Sequence, residues 1–191
     1  MPRLFSAFRL PELVEDWLSD LELELSGARW LDPADYHVTI RFFGDVDRHV
    51  AGDLVAGLAS AQLSGFTAHI KGLGCYGGDR PRALVAEIEA GPALQDLRRA
   101  HERIAQSAGL EPERRKYSPH VTLARLHGTH AETIASFIQS VTTPALPSFR
   151  VDRVELLSSR PGGGGGPYLL EEAFRLTGAN ACTGSVRSAL D

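Results

Sequence analysis

The chain has little from which to build a disulfide framework. It carries two cysteines in 191 residues, Cys75 and Cys182, and that usage points to a reducing cytoplasm. No apolar run approaches the ~20 residues that span a bilayer. The opening segment from Met1 to Leu10 alternates polar and apolar residues and includes Arg3 and Arg9. It reads as a first strand and lacks the continuous apolar core of a signal peptide. Positive charge is not in excess: the net charge is −4, which argues against a generally basic nucleic-acid coat. Lysine is nearly missing, with two residues against 18 arginines. Arginine offers phosphate a planar, bidentate contact that lysine cannot.

Two glycine-rich segments lack what a nucleotide loop needs. Gly72-Leu73-Gly74-Cys75-Tyr76-Gly77 matches the spacing of a dinucleotide-binding loop, but Gly78-Asp79-Arg80-Pro81 follows it where a helix N-terminus should stand. The five glycines Gly162–Gly166 precede Pro167 and no Lys-Ser or Lys-Thr, so they read as a hairpin connection, with a mobile flap over the cleft as the alternative. His127 and His130 straddle the loop after the second motif, and no Cys, Asp or Glu completes a metal-ligand set with them.

What the chain does have is a repeat. His37-Val38-Thr39-Ile40 and His120-Val121-Thr122-Leu123 are nearly the same tetrapeptide. With independent residues, two such copies are expected on the order of 10⁻⁵ times in a chain of this make-up. In a strand, side chains alternate faces, so His and Thr of each copy project one way and the two apolar residues the other. The apolar face packs on a core and the other lines a cavity. Two imidazoles and two hydroxyls around one small volume suit phosphate ester chemistry, one His as base, one as acid, and hydroxyls to hold the anion. Arg41 shares the parity of His37 and Thr39 and is expected to clamp phosphate if the strand stays regular. Arg125 has the opposite parity to His120 and reaches the cavity only at the strand end or after a bulge.

Periodicity and turn chemistry predict mixed elements. Strands are expected over 3–10, 36–43, 66–73, 82–89, 118–125, 149–159 and 168–176. Helices are expected from Pro11 to about Leu25, from an Asp47 cap to about Leu63, from Gly91 to about Ala108 with Gly109 ending it, and from His130 to Val141. Residues 144–147 read as a linker and 178–191 as a flexible tail, leaving residues 1–177 as a single domain. Each motif strand is followed by a helix and another strand, which suggests two similar α+β lobes that each contribute one motif to a central cleft.

These motifs, 83 positions apart, resemble the 2H phosphoesterase superfamily, and within it the RNA 2′,3′-cyclic phosphodiesterases, also called 2′-5′ RNA ligases (LigT/ThpR-like). The resemblance runs over residues 3–176. Further support comes from Arg80-Pro81-Arg82, from Arg115-Lys116-Tyr117-Ser118-Pro119 before the second motif, and from Leu156-Leu157-Ser158-Ser159-Arg160 with Tyr168 beyond the glycines. It implies a bilobal fold with antiparallel sheets and pseudo-twofold symmetry, no metal, no cofactor and a monomer acting on RNA termini. By the same resemblance His37 protonates the departing 3′ oxygen and His120 activates water. Thr39 and Thr122 bond the phosphate oxygens, and Arg125 contacts phosphate or ribose. The alternatives are the same chemistry on a small cyclic nucleotide, a non-catalytic nucleotide- or RNA-binding module, and RNA ligation, the reverse reaction.

Overall fold

The computed structural model describes residues 3–22, 24–141, 147–159 and 168–178. The strands are β1 (Arg3–Arg9), β2 (Ala28–Trp30), β3 (His37–Asp45), β4 (Phe66–Tyr76), β5 (Ala83–Glu89), β6 (His120–Leu126), β7 (Ser148–Val151), β8 (Arg153–Ser159) and β9 (Leu169–Arg175). The helices are α1 (Glu12–Ser19), α2 (Arg48–Ser60), α3 (Gly91–Ser107) and α4 (Ala131–Ser140). Local chemistry explains several boundaries. The Asp47 side chain accepts from the Val50 N–H at 2.9 Å and starts α2. Gly109, at φ +84°, closes α3: the Leu110 N–H bonds the Ala105 carbonyl and the Gly109 N–H bonds that of Gln106, each at 3.0 Å.

All the strands join one antiparallel sheet in the order β7-β4-β5-β6-β3-β1-β8-β9, with β2 added to β6. The α+β class and the two antiparallel lobes are as expected. The lobes are not successive halves of the chain, however. One is β4 to β7, and the other combines β1 and β3 with β8 and β9. They meet where β3 and β6 touch, through the single pair Val38–Val121. The approximate twofold passes through that pair.

Side chains from α1, α3 and α4 (Val14, Leu18, Leu94, Leu97, Ile134 and Phe137) pack with Val38, Ile40, Val121 and Leu123 in the main core. The α2 residues Leu54 and Leu58 meet Leu4, Phe43 and Leu156 in a second cluster. The apolar faces of the motif strands thus turn to the helices, and the His/Thr faces are left open.

Three elements depart from the sequence-based expectation. α1 stops at Ser19, not near Leu25; Asp20, Glu22 and Glu24 follow, and carboxylates are unfavourable at a helix C-terminus. β4 runs on through Gly72 and Gly74, which pair with Glu87 and Val85 of β5, so the glycine pattern lies within a strand. The long strand expected over 149–159 is broken at Asp152, because β7 pairs with β4 in one lobe and β8 with β1 in the other. The Gly162–Gly166 turn, Arg160, Cys182 and the tail from 179 lie outside the described residues, as does most of the 144–147 linker.

Candidate active site

The two motif strands present the pattern their sequences predict. Val38, Val121 and Leu123 are 0% exposed and Ile40 2%, while His37, Thr39, His120 and Thr122 are half-buried on the other face. Extending the antiparallel register from Val38–Val121 sets Thr39 opposite His120 and His37 opposite Thr122. Each histidine therefore lies across the axis from the other motif's threonine.

A matched pair of bulges follows. Against β1, the register passes from Ala7–Thr39 to Ser6–Arg41, skipping Ile40. Against β5, it passes from Val85–Thr122 to Leu84–Ala124, skipping Leu123. Each bulge sits at the same offset from its histidine. Two successive residues are buried at each, Ile40 with Arg41 and Leu123 with Ala124, and the parity of the strand then changes. Arg125 is thereby brought to the His120 side, where its charge is felt by the imidazole. No hydrogen bond or ion pair holds its guanidinium among the described residues. Its counterpart by position is Phe42, exposed at 46%.

Arg41 goes the other way from the strand parity on which its expected role as a phosphate clamp was based. The regular strand on which it rested is interrupted, and the side chain is buried. Its Nε donates to Glu102 at 2.7 Å, and the guanidinium also donates to the carbonyls of Glu111, at 2.6 Å, and Phe42. Three of its five N–H donors are given to protein acceptors, and Arg41 also lines the cavity beside Thr39 and His120.

Each histidine is oriented in the same manner. The Nδ1 of His37 lies 2.7 Å from the Asp35 carbonyl, and that of His120 lies 2.7 Å from the Ser118 carbonyl. A carbonyl oxygen only accepts, so each Nδ1 carries the proton and each Nε2 is left with its lone pair on the open face. A tyrosine stands edge-on to each ring: Tyr168 to His37 at 4.9 Å and 80°, and Tyr76 to His120 at 4.7 Å and 85° between planes. The residue two before each histidine also tethers that tyrosine. The Tyr168 N–H donates to the Asp35 carboxylate at 3.4 Å, and the Tyr76 hydroxyl to Ser118 Oγ at 2.9 Å. Asp35, Ser118 and Tyr76 were not singled out as site residues from sequence. The position two residues before each histidine is the one sequence signal that could have pointed to Asp35 and Ser118.

Burial pushes the His37 imidazole below its ordinary value, and nearby Arg9 and His120 act the same way against the opposing bond to Asp35. Burial likewise lowers His120, helped by Arg125 and opposed by the bond to Ser118. Both rings are therefore neutral in the free protein at neutral pH. The pairing of the motif strands through Val38–Val121 brings both His/Thr faces to one volume.

A cavity of about 160 Å³ opens beside Thr39 and His120. Tyr117 lines it, its hydroxyl donating to the Thr39 carbonyl at 3.1 Å. Among the described residues no group of three His, Cys, Asp or Glu is placed to hold a metal ion. His130 serves as the N-cap residue of α4. No helix among the described residues is long and apolar enough to cross a membrane.

Comparison with known proteins adds an independent line. The family model of the 2′-5′ RNA ligase superfamily matches residues 10–163. An RNA 2′,3′-cyclic phosphodiesterase of Aeropyrum pernix is 31% identical over 132 residues, 68% of this chain and 75% of that protein. Another of the same name, from Aquifex aeolicus, is 26% identical over 179 residues, covering 91% and 95% of the two chains. The crystal structure of E. coli LigT complexed with 3′-AMP has a TM-score of 0.70 at 23% identity, over 93% of this chain and 99% of that one. At that identity the likeness is one of fold.

Proposed function

Because the chain belongs to the 2′-5′ RNA ligase superfamily, we propose that it is an RNA 2′,3′-cyclic phosphodiesterase that opens the cyclic phosphate to a 2′-phosphate with its paired histidines. The observation that carries this reading is the pair of 2.7 Å bonds from Nδ1 to a carbonyl, which leave two free Nε2 atoms on one open face.

Opening the ring needs a proton removed on one side of phosphorus and delivered on the other. His120 Nε2 takes the proton from water as the oxygen attacks phosphorus. The bond from phosphorus to O3′ breaks, and His37 Nε2 delivers a proton to O3′. Thr39 and Thr122 donate their hydroxyl protons to the non-bridging oxygens. Arg125 faces the charge that accumulates there. His37 must be protonated to act as an acid, and an anionic phosphate between the rings raises its pKa from the depressed value of the free protein. The two imidazoles supply both proton transfers, so the reading includes no metal, and it takes the protein as a monomer. Its low cysteine usage suits the cytoplasm.

The test is hydrolysis of an RNA oligomer ending in a 2′,3′-cyclic phosphate, in EDTA, by wild type beside His37→Ala and His120→Ala. Turnover is expected from wild type and a loss of about 10²–10⁴-fold from each variant. Undiminished turnover in either variant would overturn the paired roles. Absence of wild-type turnover on RNA and on cyclic mononucleotides alike would indicate a binding module.

A further inference from the structure

The two sides of the cleft are alike in fold and unlike in charge. On the His120 side the arginines that line the cavity have partners. Arg41 is bonded to Glu102, Glu113 grips Arg115 through bonds of 3.1 and 2.8 Å, and the Arg98 guanidinium lies 4.7 Å from the ring centroid of Tyr117. On the His37 side Arg9 stands opposite His37 on β1. Its guanidinium is given to Glu155, at 2.9 Å, and to the Ala34 carbonyl. Beyond Thr122 this matching ends.

There β2 takes the edge of β6 that β3 leaves. β3 meets β6 through Val38–Val121, and β2 pairs Ala28, Arg29 and Trp30 with Leu126, Arg125 and Ala124. Ala28 and Trp30 pack on the main core. Arg29 therefore turns to the opposite face, where Arg125 stands directly across from it. Arg29 is exposed. Like Arg125, it makes no hydrogen bond or ion pair through its guanidinium among the described residues. Two like charges directly opposite each other on one sheet face repel. An anion over the pair relieves that repulsion and meets planar donors. The turn that leads into β5 adds Arg80 and Arg82 at the same end of the sheet, against the one carboxylate of Asp79.

We infer that Arg29 contacts the internucleotide phosphate just 5′ of the cyclic-phosphate end, and so makes the enzyme favour an RNA chain over a free cyclic nucleotide. This rests on the proposed reading of His37 as the acid. Attacking and leaving oxygens stand roughly in line through phosphorus, so the ribose that loses its O3′ bond lies on the His37 side. The O5′ of that ribose carries the chain onward, away from the reacting phosphate. Arg125 meets the reacting phosphate, and Arg29 lies one strand further out on the same face. A cyclic nucleotide without a 5′-phosphate has no charge to offer Arg29, whereas an RNA chain has one at its next link.

The test compares kcat/KM for three substrates: a 2′,3′-cyclic nucleotide without a 5′-phosphate, a dinucleotide with the same cyclic end, and that dinucleotide with an uncharged methylphosphonate link. The ratio of dinucleotide to mononucleotide does not depend on the fraction of enzyme that is folded. Wild type is expected to favour the charged dinucleotide by about 10-fold, the worth of one charge-assisted hydrogen bond. The uncharged link should remove that preference. Arg29→Ala should lower the ratio about 10-fold, through KM, and should respond little to the uncharged link. Arg29→Lys should keep part of the ratio. The log–log salt dependence of the dinucleotide reaction should be shallower in Arg29→Ala by about 0.7, the share of one phosphate contact on a single strand. An equal fall on both natural substrates would assign Arg29 to the reacting phosphate or to the fold and overturn the inference. So would a ratio that Arg29→Ala leaves unchanged, or a preference that survives the uncharged link, since the added nucleoside would then be what is recognised. Wild type that turns over mononucleotide and dinucleotide alike would remove the Arg29 contact and leave the phosphodiesterase reading intact. Wild type inactive on all three would remove that reading and the contact with it.

Discussion

Arg41→Ala is expected to cost stability before it costs chemistry. The side chain is 7% exposed and ties three parts of the fold together. It belongs to β3, its Nε is bonded to Glu102 of α3, and it reaches the Glu111 carbonyl in the segment that leads to β6. Glu102 in turn accepts from the Glu113 N–H at 3.1 Å. Breaking a buried ion pair by removing one partner costs about 3–5 kcal/mol. Glu102 is 21% exposed and keeps its other donors, so the lower end applies, about 3 kcal/mol. In a domain of this size each kcal/mol moves Tm by about 2–4 °C. Thermal unfolding followed by circular dichroism should therefore show a fall of about 6–12 °C. Arg41→Lys restores the charge but not the planar fork, and it is expected to recover less than half of that loss. Cyclic-phosphate hydrolysis, measured where the variant is still folded, should fall much less than in His120→Ala. An unchanged Tm with a large rise in KM would refute this reasoning and restore Arg41 as a phosphate clamp.

Both motif histidines sit below their ordinary pKa, so the free enzyme should hold the productive combination of protonated His37 and neutral His120 most often on the acidic side of about pH 6.5. A bell-shaped kcat/KM profile with its maximum there is expected, and the kcat maximum should lie higher because bound phosphate favours protonated His37. A profile flat from about pH 5 to 9 would contradict paired acid–base work. His101 is fully buried in α3; its Nδ1–H donates to the Leu97 carbonyl at 2.9 Å, and its Nε2 has no partner. Burial pulls its pKa down to about 4, below the unfolded value, so protons favour the unfolded chain. Its contribution is complete above about pH 6.5 and is lost as pH falls toward 4, by about 1.4 kcal/mol per unit and roughly 3 kcal/mol in all. His101→Leu should flatten the decline in urea midpoint between neutral and acidic pH; the same slope in both proteins would refute the assignment.

Local features were the most legible ones. The alternation in each motif, the Asp47 cap and the Gly109 terminus all depend on neighbours in sequence, and all stand where residue chemistry puts them. The bulges do not have that character. Ile40 and Leu123 are skipped because of how β1 and β5 align against the motif strands, and nothing in either tetrapeptide encodes its partner's register. One undetected bulge misdirected Arg41, and the other is what Arg125 required. The break at Asp152 is likewise set by the presence of two different partner strands. Tyr76 was hidden in a glycine-rich stretch that reads as a loop, until pairing with β5 makes it a strand end.

The interleaving of the lobes has a consequence for synthesis. β4 to β7 emerge as one continuous stretch and can complete their sheet as they leave the ribosome. β1 cannot: its Arg3 pairs with Ser159, on a strand made some 150 residues later. At about 5–20 residues per second that is a wait of roughly 8–30 s. Throughout it, one edge of β1 has no strand to bond, and the five inner residues of its Arg3–Arg9 span are ones the finished fold buries. An open edge of that composition invites pairing with other chains. That edge is closed only when β8 is made and pairs with it.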